Sequence, residues 1–293
     1  MRILHLDSGR EMRGGQWQVL RLIEGLHGAG VQSTLLARPR SPLFAAARER
    51  GWTVEPLGLV CLPAAIRSHD LVHAHDARGH TMAALVPSTR LVVSRRVAFE
   101  IGSPWKYGRA HRYIAVSGFV KSVLVRGGVP LEKISVVYDG VPALEPACGD
   151  AVLAPANSAD PLKGASVAME AAHLAGVHLK LSAALERDLR EARIFVYITQ
   201  SEGLGSGALL AMSAGVAVIA SNVGGLPEIV DHRRTGLLVE NDPAAIAAAI
   251  RELVADPDLA RRLGAAARQH VLENFTVDRM VSRTMEIYRQ VLA

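Results

Sequence analysis

Cysteine is nearly absent from this chain: Cys61 and Cys148 are the only two in 293 residues. Two thiols make no disulfide framework, and neither lies in a Cys-x-x-Cys or Cys/His spacing. The composition therefore points to a reducing compartment, the cytoplasm, and away from structural zinc. Long hydrophobic runs are missing too. The longest, residues 207–220, is broken by Ser213 and Gly215 and falls short of the roughly 20 residues a spanning helix needs. The opening residues, MRILHLDSGR, hold too few apolar side chains before Asp7 for an export signal and read as a buried strand. No run of lysine or arginine stands out behind the net charge of +5, so dispersed arginines on a solvated surface account for it. Nucleic acid is not indicated, whereas a peripheral contact with an anionic membrane at its inner face is compatible with that charge. There is no low-complexity segment and no internal repeat beyond two similar halves.

What is present is an ordinary globular composition, 49% hydrophobic and 21% charged. The length exceeds a single core, so two domains and a cleft between them are expected. Short β-rich runs (RILHL, STLLA, DLVHAH, RLVVS, RYIAVS, ISVVY) alternate with helical patterns such as Val19, Leu22, Ile23 and Leu26. Such alternation predicts an α/β fold with parallel sheets covered by helices on both faces. The pattern restarts after VPALEPACGD, which places a linker at about residues 142 to 150. The expected organisation is an N-terminal Rossmann-like domain over residues 1–143, a C-terminal one over 144–275, and a last helix over 276–293 with one apolar face to bury.

The segment SEGLGSGALLAMSAGVAVIAS, residues 201–221, sets Glu202 ahead of Gly203, Gly205 and Gly207, after the strand pattern IFVYI and before a helical run. Strand, glycine turn and helix start together aim free backbone N–H groups at an anion, and phosphate is the natural guest. The same letters satisfy G-x-G-x-x-G/A, but a dinucleotide site wants an acid at the end of the next strand, and VAVIA runs into Ser221 and Asn222. A nicotinamide dehydrogenase is thus a minor alternative, and close strand–helix packing is the purely structural one. A second glycine turn, Gly14 and Gly15 in GREMRGGQ, follows the first strand. Gly15 and Gln16 stand where a P-loop needs Lys and Ser/Thr, which excludes that ATP-binding motif.

The block SEGLGSGALLAMSAGVAVIASNVGGLPEIVDHRRTGLLVENDP, with GGQWQVLRLIEGLHGAG, DLVHAHD, YIAVSGFVKSVLVRGGVPLEKISVVYDGV and DPLKG, resembles the retaining nucleotide-sugar glycosyltransferases of family four, in the group 1 class with the GT-B fold. The resemblance implies two Rossmann-like lobes whose parallel sheets face a cleft, with the donor held by the C-terminal lobe, the acceptor on the N-terminal side and the last helix crossing back to the first lobe. It implies that Glu202 touches the hydroxyls of the donor sugar and that the loop Gly203, Leu204, Gly205, Ser206, Gly207 holds the diphosphate together with Lys163. Gly14 and Gly15, the glycine turn expected to face that loop from the other lobe, count with it as donor-binding residues. It implies no metal and no cofactor beyond the nucleotide-diphosphate sugar itself. His73 and His75 share one strand face; the resemblance assigns His75 to the donor sugar, while a His-x-His metal pair or a histidine satisfied within the sheet are the alternatives. Arg95 and Arg96 read as cleft cations or as a solvated pair.

The sequence departs from the family pattern in two places. A second acid belongs eight residues after Glu202, where this chain has Leu210, and losing its charge-assisted pair with the ribose costs on the order of 1.5 to 3 kcal/mol. Between VHLKLSA and IFVYI only ALERDLREA is available, so the second lobe should be smaller than usual. The expected function is transfer of a sugar, with retention, from a nucleotide-diphosphate donor to a glycan or lipid-linked hydroxyl in envelope polysaccharide or lipopolysaccharide synthesis. A catalytically weak or inactive module that binds a glycan or a partner is the alternative.

Overall fold

The structure is a computed structural model that describes residues 1–87, 89–102, 104–156 and 163–293. It divides into two units, one formed by Met1–Gly140 with Val277–Ala293, the other by Val141–Thr276.

The first unit alternates strand and helix: β1 (Arg2–Asp7), α1 (Gly14–Gly28), β2 (Gln32–Ala37), α2 (Pro42–Glu49), β3 (Thr53–Pro56), α3 (Leu62–Arg67), β4 (Leu71–Ala74), α4 (Ala77–Ala84), β5 (Leu91–Arg95), α5 (Pro104–Tyr107), β6 (Arg112–Ala115), α6 (Gly118–Arg126) and β7 (Ile134–Val136). All pairings are parallel, in the order β3-β2-β1-β4-β5-β6-β7. The central strands are buried, apart from Arg2 at the start of β1, because helices cover both faces. Side-chain oxygens of Ser41, Asp76 and Ser117 cap α2, α4 and α6.

The second unit runs β8 (Ala151–Pro155), α7 (Ala165–Ala175), β9 (Leu179–Ser182), α8 (Leu185–Asp188), β10 (Ala192–Tyr197), α9 (Ser206–Ser213), β11 (Ala217–Ser221), β12 (Leu237–Val239), α10 (Pro243–Ala255) and α11 (Pro257–Asn274). Its five strands are parallel, ordered β12-β11-β10-β8-β9. Ile194, Val196, Ile219, Leu237, Ile246, Ile250 and Leu253 centre its core, each contributing on the order of 1.5–3 kcal/mol by leaving water.

The last helix, α12 (Val277–Leu292), belongs to the first unit. Its buried Met280, Val281, Thr284, Ile287 and Tyr288 recur at helical spacing and pack with Ile3, Leu22, Leu26 and Val92. Gly25 of α1 lies so close to Val281 that a Cβ there would stand 2.5 Å from its Cγ2. Among the described residues no helix is long and apolar enough to cross a membrane. Cys61 and Cys148 are both free and exposed.

Candidate functional site

In open parallel sheets a ligand crevice forms where successive connections leave a strand in opposite directions, at the carboxyl ends of the strands. The second unit has that point between β8 and β10, the first between β1 and β4.

Beyond β10 the chain turns through Thr199 to Gly205 and enters α9. Glu202 stands in this turn with its side chain 14% exposed, and Lys163, just before α7, reaches it: Nζ donates to Oε2 at 2.8 Å. Tyr197, the last residue of β10, donates its hydroxyl to the same oxygen at 2.8 Å, and the backbone N–H of Gly203 meets Oε1 at 3.1 Å. Burial, then the neighbouring Glu202, keeps the Tyr197 phenol far above its usual range, so it stays a donor. Gly205 precedes α9 as its cap residue, with a φ of 108° that suits glycine, no side-chain cap and no acid in the first turn. Its first amides therefore point outward without an intrahelical acceptor, at the positive end of the helix. The turn is held from behind by Gly224 and Gly225. A Cβ on either would come within 2.1 or 2.2 Å of the carbonyl oxygen of Glu202 or Gly203. Asn241 closes the base of the turn by donating to the Thr199 carbonyl at 2.9 Å.

The structure thus brings together Lys163, Glu202, Gly203, Leu204, Gly205, Ser206 and Gly207 around one helix start. Leu204 is buried; it packs and offers only its backbone. Leu210 lies on α9 at 8% exposure, an apolar side chain where the family pattern has an acid. Of the DPLKG stretch, Asp160, Pro161 and Leu162 lie outside the described residues, as does the segment before Lys163 that lacks an arginine.

In the first unit the carboxyl ends of β1 and β4 carry Asp7, His75 and Asp76. Asp7 is 2% exposed; its Oδ1 accepts from the Gly9 N–H at 2.8 Å, and both its oxygens accept from Gln16 Nε2 at 3.2 Å. Burial and the neighbouring Asp76 push the Asp7 carboxyl up to about 6. Gln16 Oε1 accepts from the N–H of Arg13, the cap of α1, at 3.3 Å. One amide therefore ties β1 to the Gly14–Gly15 turn. Asp76 accepts from Ser8 and from the Gly79 N–H.

His5 and His73 are register partners on β1 and β4, and His75 follows on the same face. His5 Nδ1 lies 3.0 Å from His75 Nε2; His73 meets Tyr288 Oη through Nδ1 at 2.6 Å and Ser94 Oγ through Nε2 at 2.8 Å. Burial keeps all three rings uncharged, His5 down at about 3 and the other two well below their usual value. Their nitrogens, within 4.8 Å of one another, form the one cluster of metal-ligating type among the described residues. Two of the three rings already have polar neighbours at ring nitrogens that a cation would need. His73 spends both nitrogens on hydroxyl groups, and the Arg96 guanidinium lies 3.5 Å from His75 Nδ1.

Arg95 and Arg96 divide. Arg95 turns to the 97–107 segment, donating to the Val97 and Phe99 carbonyls and to Tyr107 Oη. Arg96 pairs with buried Asp139 at 3.1 Å, and its Cδ would stand 3.8 Å from a Cβ on Gly15. Sequence reasoning missed Tyr197, Asp7, Gln16, His5 and Asp139. Only strand periodicity around the motif residues offered a signal for Tyr197 and His5, since both lie on the inward rows of buried strands.

Comparison with known proteins gives the same picture in both halves. Residues 160–270 match the family model described as glycosyl transferases group 1, and residues 12–143 that of glycosyltransferase family 4. Over 112 residues the chain is 45% identical to the alpha-maltose-1-phosphate synthase of Mycolicibacterium smegmatis, covering 36% of this chain and 29% of that protein. Over 100 residues it is 43% identical to a D-inositol 3-phosphate glycosyltransferase of Streptomyces scabiei, covering 34% and 22%. The match spans less than a third of either curated relative. Among solved structures, Anabaena HepE in complex with UDP and glucose superposes with a TM-score of 0.87 at 15% identity, over 99% of this chain and 100% of that one. The sucrose-phosphate synthase of Thermosynechococcus elongatus does so with 0.80 at 18%, over 99% and 98%. At such identities these two speak for the fold alone.

Proposed function

Because the chain belongs to the group 1, family 4 glycosyltransferases, we propose that it moves a sugar, with retention of configuration, from a nucleoside-diphosphate sugar to a hydroxyl of a glycan or lipid-linked acceptor. The observation that carries this reading is the Lys163–Glu202 pair, 2.8 Å apart beside the uncapped start of α9. A departing diphosphate needs positive charge, and a lysine with aligned helix amides supplies it without a divalent cation. In this reading the diphosphate draws Lys163 away from Glu202, and the freed carboxylate accepts from hydroxyls of the sugar. Tyr197 keeps Glu202 oriented during that exchange. Within the first unit, His75 is the residue proposed to meet a sugar hydroxyl, and the Gly14–Gly15 turn is counted with the donor-binding residues. The family supplies the ligand class, and two proteins that share the fold are named for ligands of that class. HepE was solved with UDP-glucose, and WaaB, a TM-score 0.76 match, is a lipopolysaccharide outer core galactosyltransferase. A place in envelope polysaccharide or lipopolysaccharide assembly, on the cytoplasmic side, is part of the same proposal.

Product formation from a panel of nucleotide sugars, followed by NMR of the anomeric proton in the product, tests the reading. Retained configuration and loss of turnover in both Lys163→Ala and Glu202→Ala are expected. A second reading, a module that binds without catalysis, draws on Leu210. It would be favoured if nucleotide sugars stabilised the protein yet no acceptor gave product. A ligand at a hundred times its Kd adds about 2.7 kcal/mol, so binding is readily seen by thermal shift.

A further inference from the structure

Arginine carries only N–H donors, so the atom it meets must accept. Arg96 Nη1 lies 3.5 Å from His75 Nδ1, where a second N–H would face the positive guanidinium head-on, so Nδ1 is the unprotonated nitrogen of that ring. Burial keeps the ring neutral, and its single proton is then on Nε2. Nε2 stands 3.0 Å from His5 Nδ1 and donates to it. His5 in turn carries its proton on Nε2, the buried atom that finds no partner. Each assignment follows from the one before, starting from a group that cannot accept. A buried unpaired N–H is costly, on the order of 1–3 kcal/mol, and calls for an explanation.

We propose that His5 is a positioning residue: it fixes His75 as the Nε2–H tautomer and leaves His75 Nδ1 with Arg96 Nη1, acceptor and donor 3.5 Å apart at the carboxyl end of β4, to take one sugar hydroxyl between them. A separation of 3.5 Å is too long for a good hydrogen bond, so neither group is satisfied by the other. A hydroxyl can satisfy both at once, giving its proton to Nδ1 and accepting from Nη1. The pair is not sealed: His75 is 6% exposed and the Arg96 side chain 13%. A phosphate fits poorly there. Asp139 at 3.1 Å already offsets the guanidinium charge, and the lone pair of Nδ1 repels an anion. That the hydroxyl belongs to a sugar rests on the glycosyltransferase reading; the tautomer does not.

Long-range 1H–15N correlation spectra of the 293-residue chain read the tautomer directly, with His75→Gln identifying its signals. Near neutral pH, His75 Nδ1 should resonate as an unprotonated nitrogen and Nε2 as a protonated one. In turnover, His5→Leu should lower kcat/KM by about tenfold or more, the worth of one neutral hydrogen bond. His5→Asn, whose Oδ1 can stand in for Nδ1 as acceptor, should restore most of it. An Nδ1-protonated or charged His75 would overturn the proposal. So would equal impairment of the two His5 variants, or cobalt absorption bands that appear on adding Co2+ and vanish in His5→Asn, the mark of a metal site. If the tautomer is as stated and no nucleotide sugar turns over, the glycosyltransferase reading fails, and with it the sugar hydroxyl, while the part of His5 in setting the tautomer stands.

Discussion

Replacing Asp7 with asparagine should make the protein more stable and a worse enzyme. The carboxylate of Asp7 is buried, accepts from two neutral donors, the Gly9 N–H and Gln16 Nε2, and is pushed from 3.8 to about 6. At pH values well above 6 the native state therefore holds a charge it disfavours. A shift of about two units corresponds to roughly 3 kcal/mol of lost stability. Asparagine removes that charge but cannot replace the acceptor. Gln16 must turn Oε1 to the Arg13 N–H, so its Nε2 faces residue 7, and an asparagine whose Oδ1 accepts from Gly9 keeps one contact with Gln16 while setting its own NH2 against the other. Losing that contact returns about 1–1.5 kcal/mol, leaving a net gain on the order of 1–2 kcal/mol. For a unit of this size each kcal/mol moves the Tm by roughly 2–4 °C. The contribution of Asp7 is fully present below the unfolded value of 3.8 and is lost as pH rises through about 6, so the advantage of the variant should be largest above about pH 7 and vanish or reverse near pH 4. Melting curves of both proteins across that range check this, since every other titrating group is common to the two. A variant less stable at pH 8, or a difference that ignores pH, would refute the account of Asp7. In kinetics the released Gly14–Gly15 turn should raise KM.

Three further outcomes follow from the same geometry. His5 and His80 are held down at about 3 and about 4 by burial, with His73 and His75 also far below 6.5. The unfolded chain takes up protons that the native one refuses, so stability should fall as pH drops from about 6.5 toward 4, by up to about 1.4 kcal/mol per pH unit per histidine; the slope of Tm against pH should be shallower in His80→Gln. Leu210→Glu restores the acid of the family pattern and should lower the Kd for a nucleoside diphosphate about ten- to a hundredfold by calorimetry, with some loss of Tm because the position is buried. An unchanged Kd would mean that position 210 does not reach the nucleotide. Gly224→Ala places a Cβ 2.1 Å from the Glu202 carbonyl at a φ of 60°, and should abolish turnover while α12 and the first unit keep their protection from hydrogen exchange.

Much of the architecture was legible because each signal is local. RILHL and IFVYI are buried on both faces and read as apolar runs, and the glycines after Glu202 mark a turn by their own chemistry. The family motifs then named Lys163 and Glu202 separately. What they could not carry is that the two bond directly across 39 residues while Tyr197 holds the same oxygen, because that depends on β8 and β10 lying side by side. His5 escaped notice for the same reason: it meets His75 only once β1 pairs with β4, 68 residues on in the chain. The division of Arg95 from Arg96 was readable in principle. Neighbours on a strand point to opposite faces, so one of them had to turn away from the histidines. Asp7 gave no such sign, since its raised value comes from burial that only the folded loop supplies.

The central claim is that Lys163 and the start of α9 grip a diphosphate. Calorimetric titration of UDP, GDP and ADP into the wild type and Lys163→Met measures it most directly. At least one diphosphate should bind the wild type and lose about tenfold to a hundredfold in affinity in the variant, as expected for a charge-assisted contact. Binding of the same nucleotide with equal affinity to both proteins would contradict it.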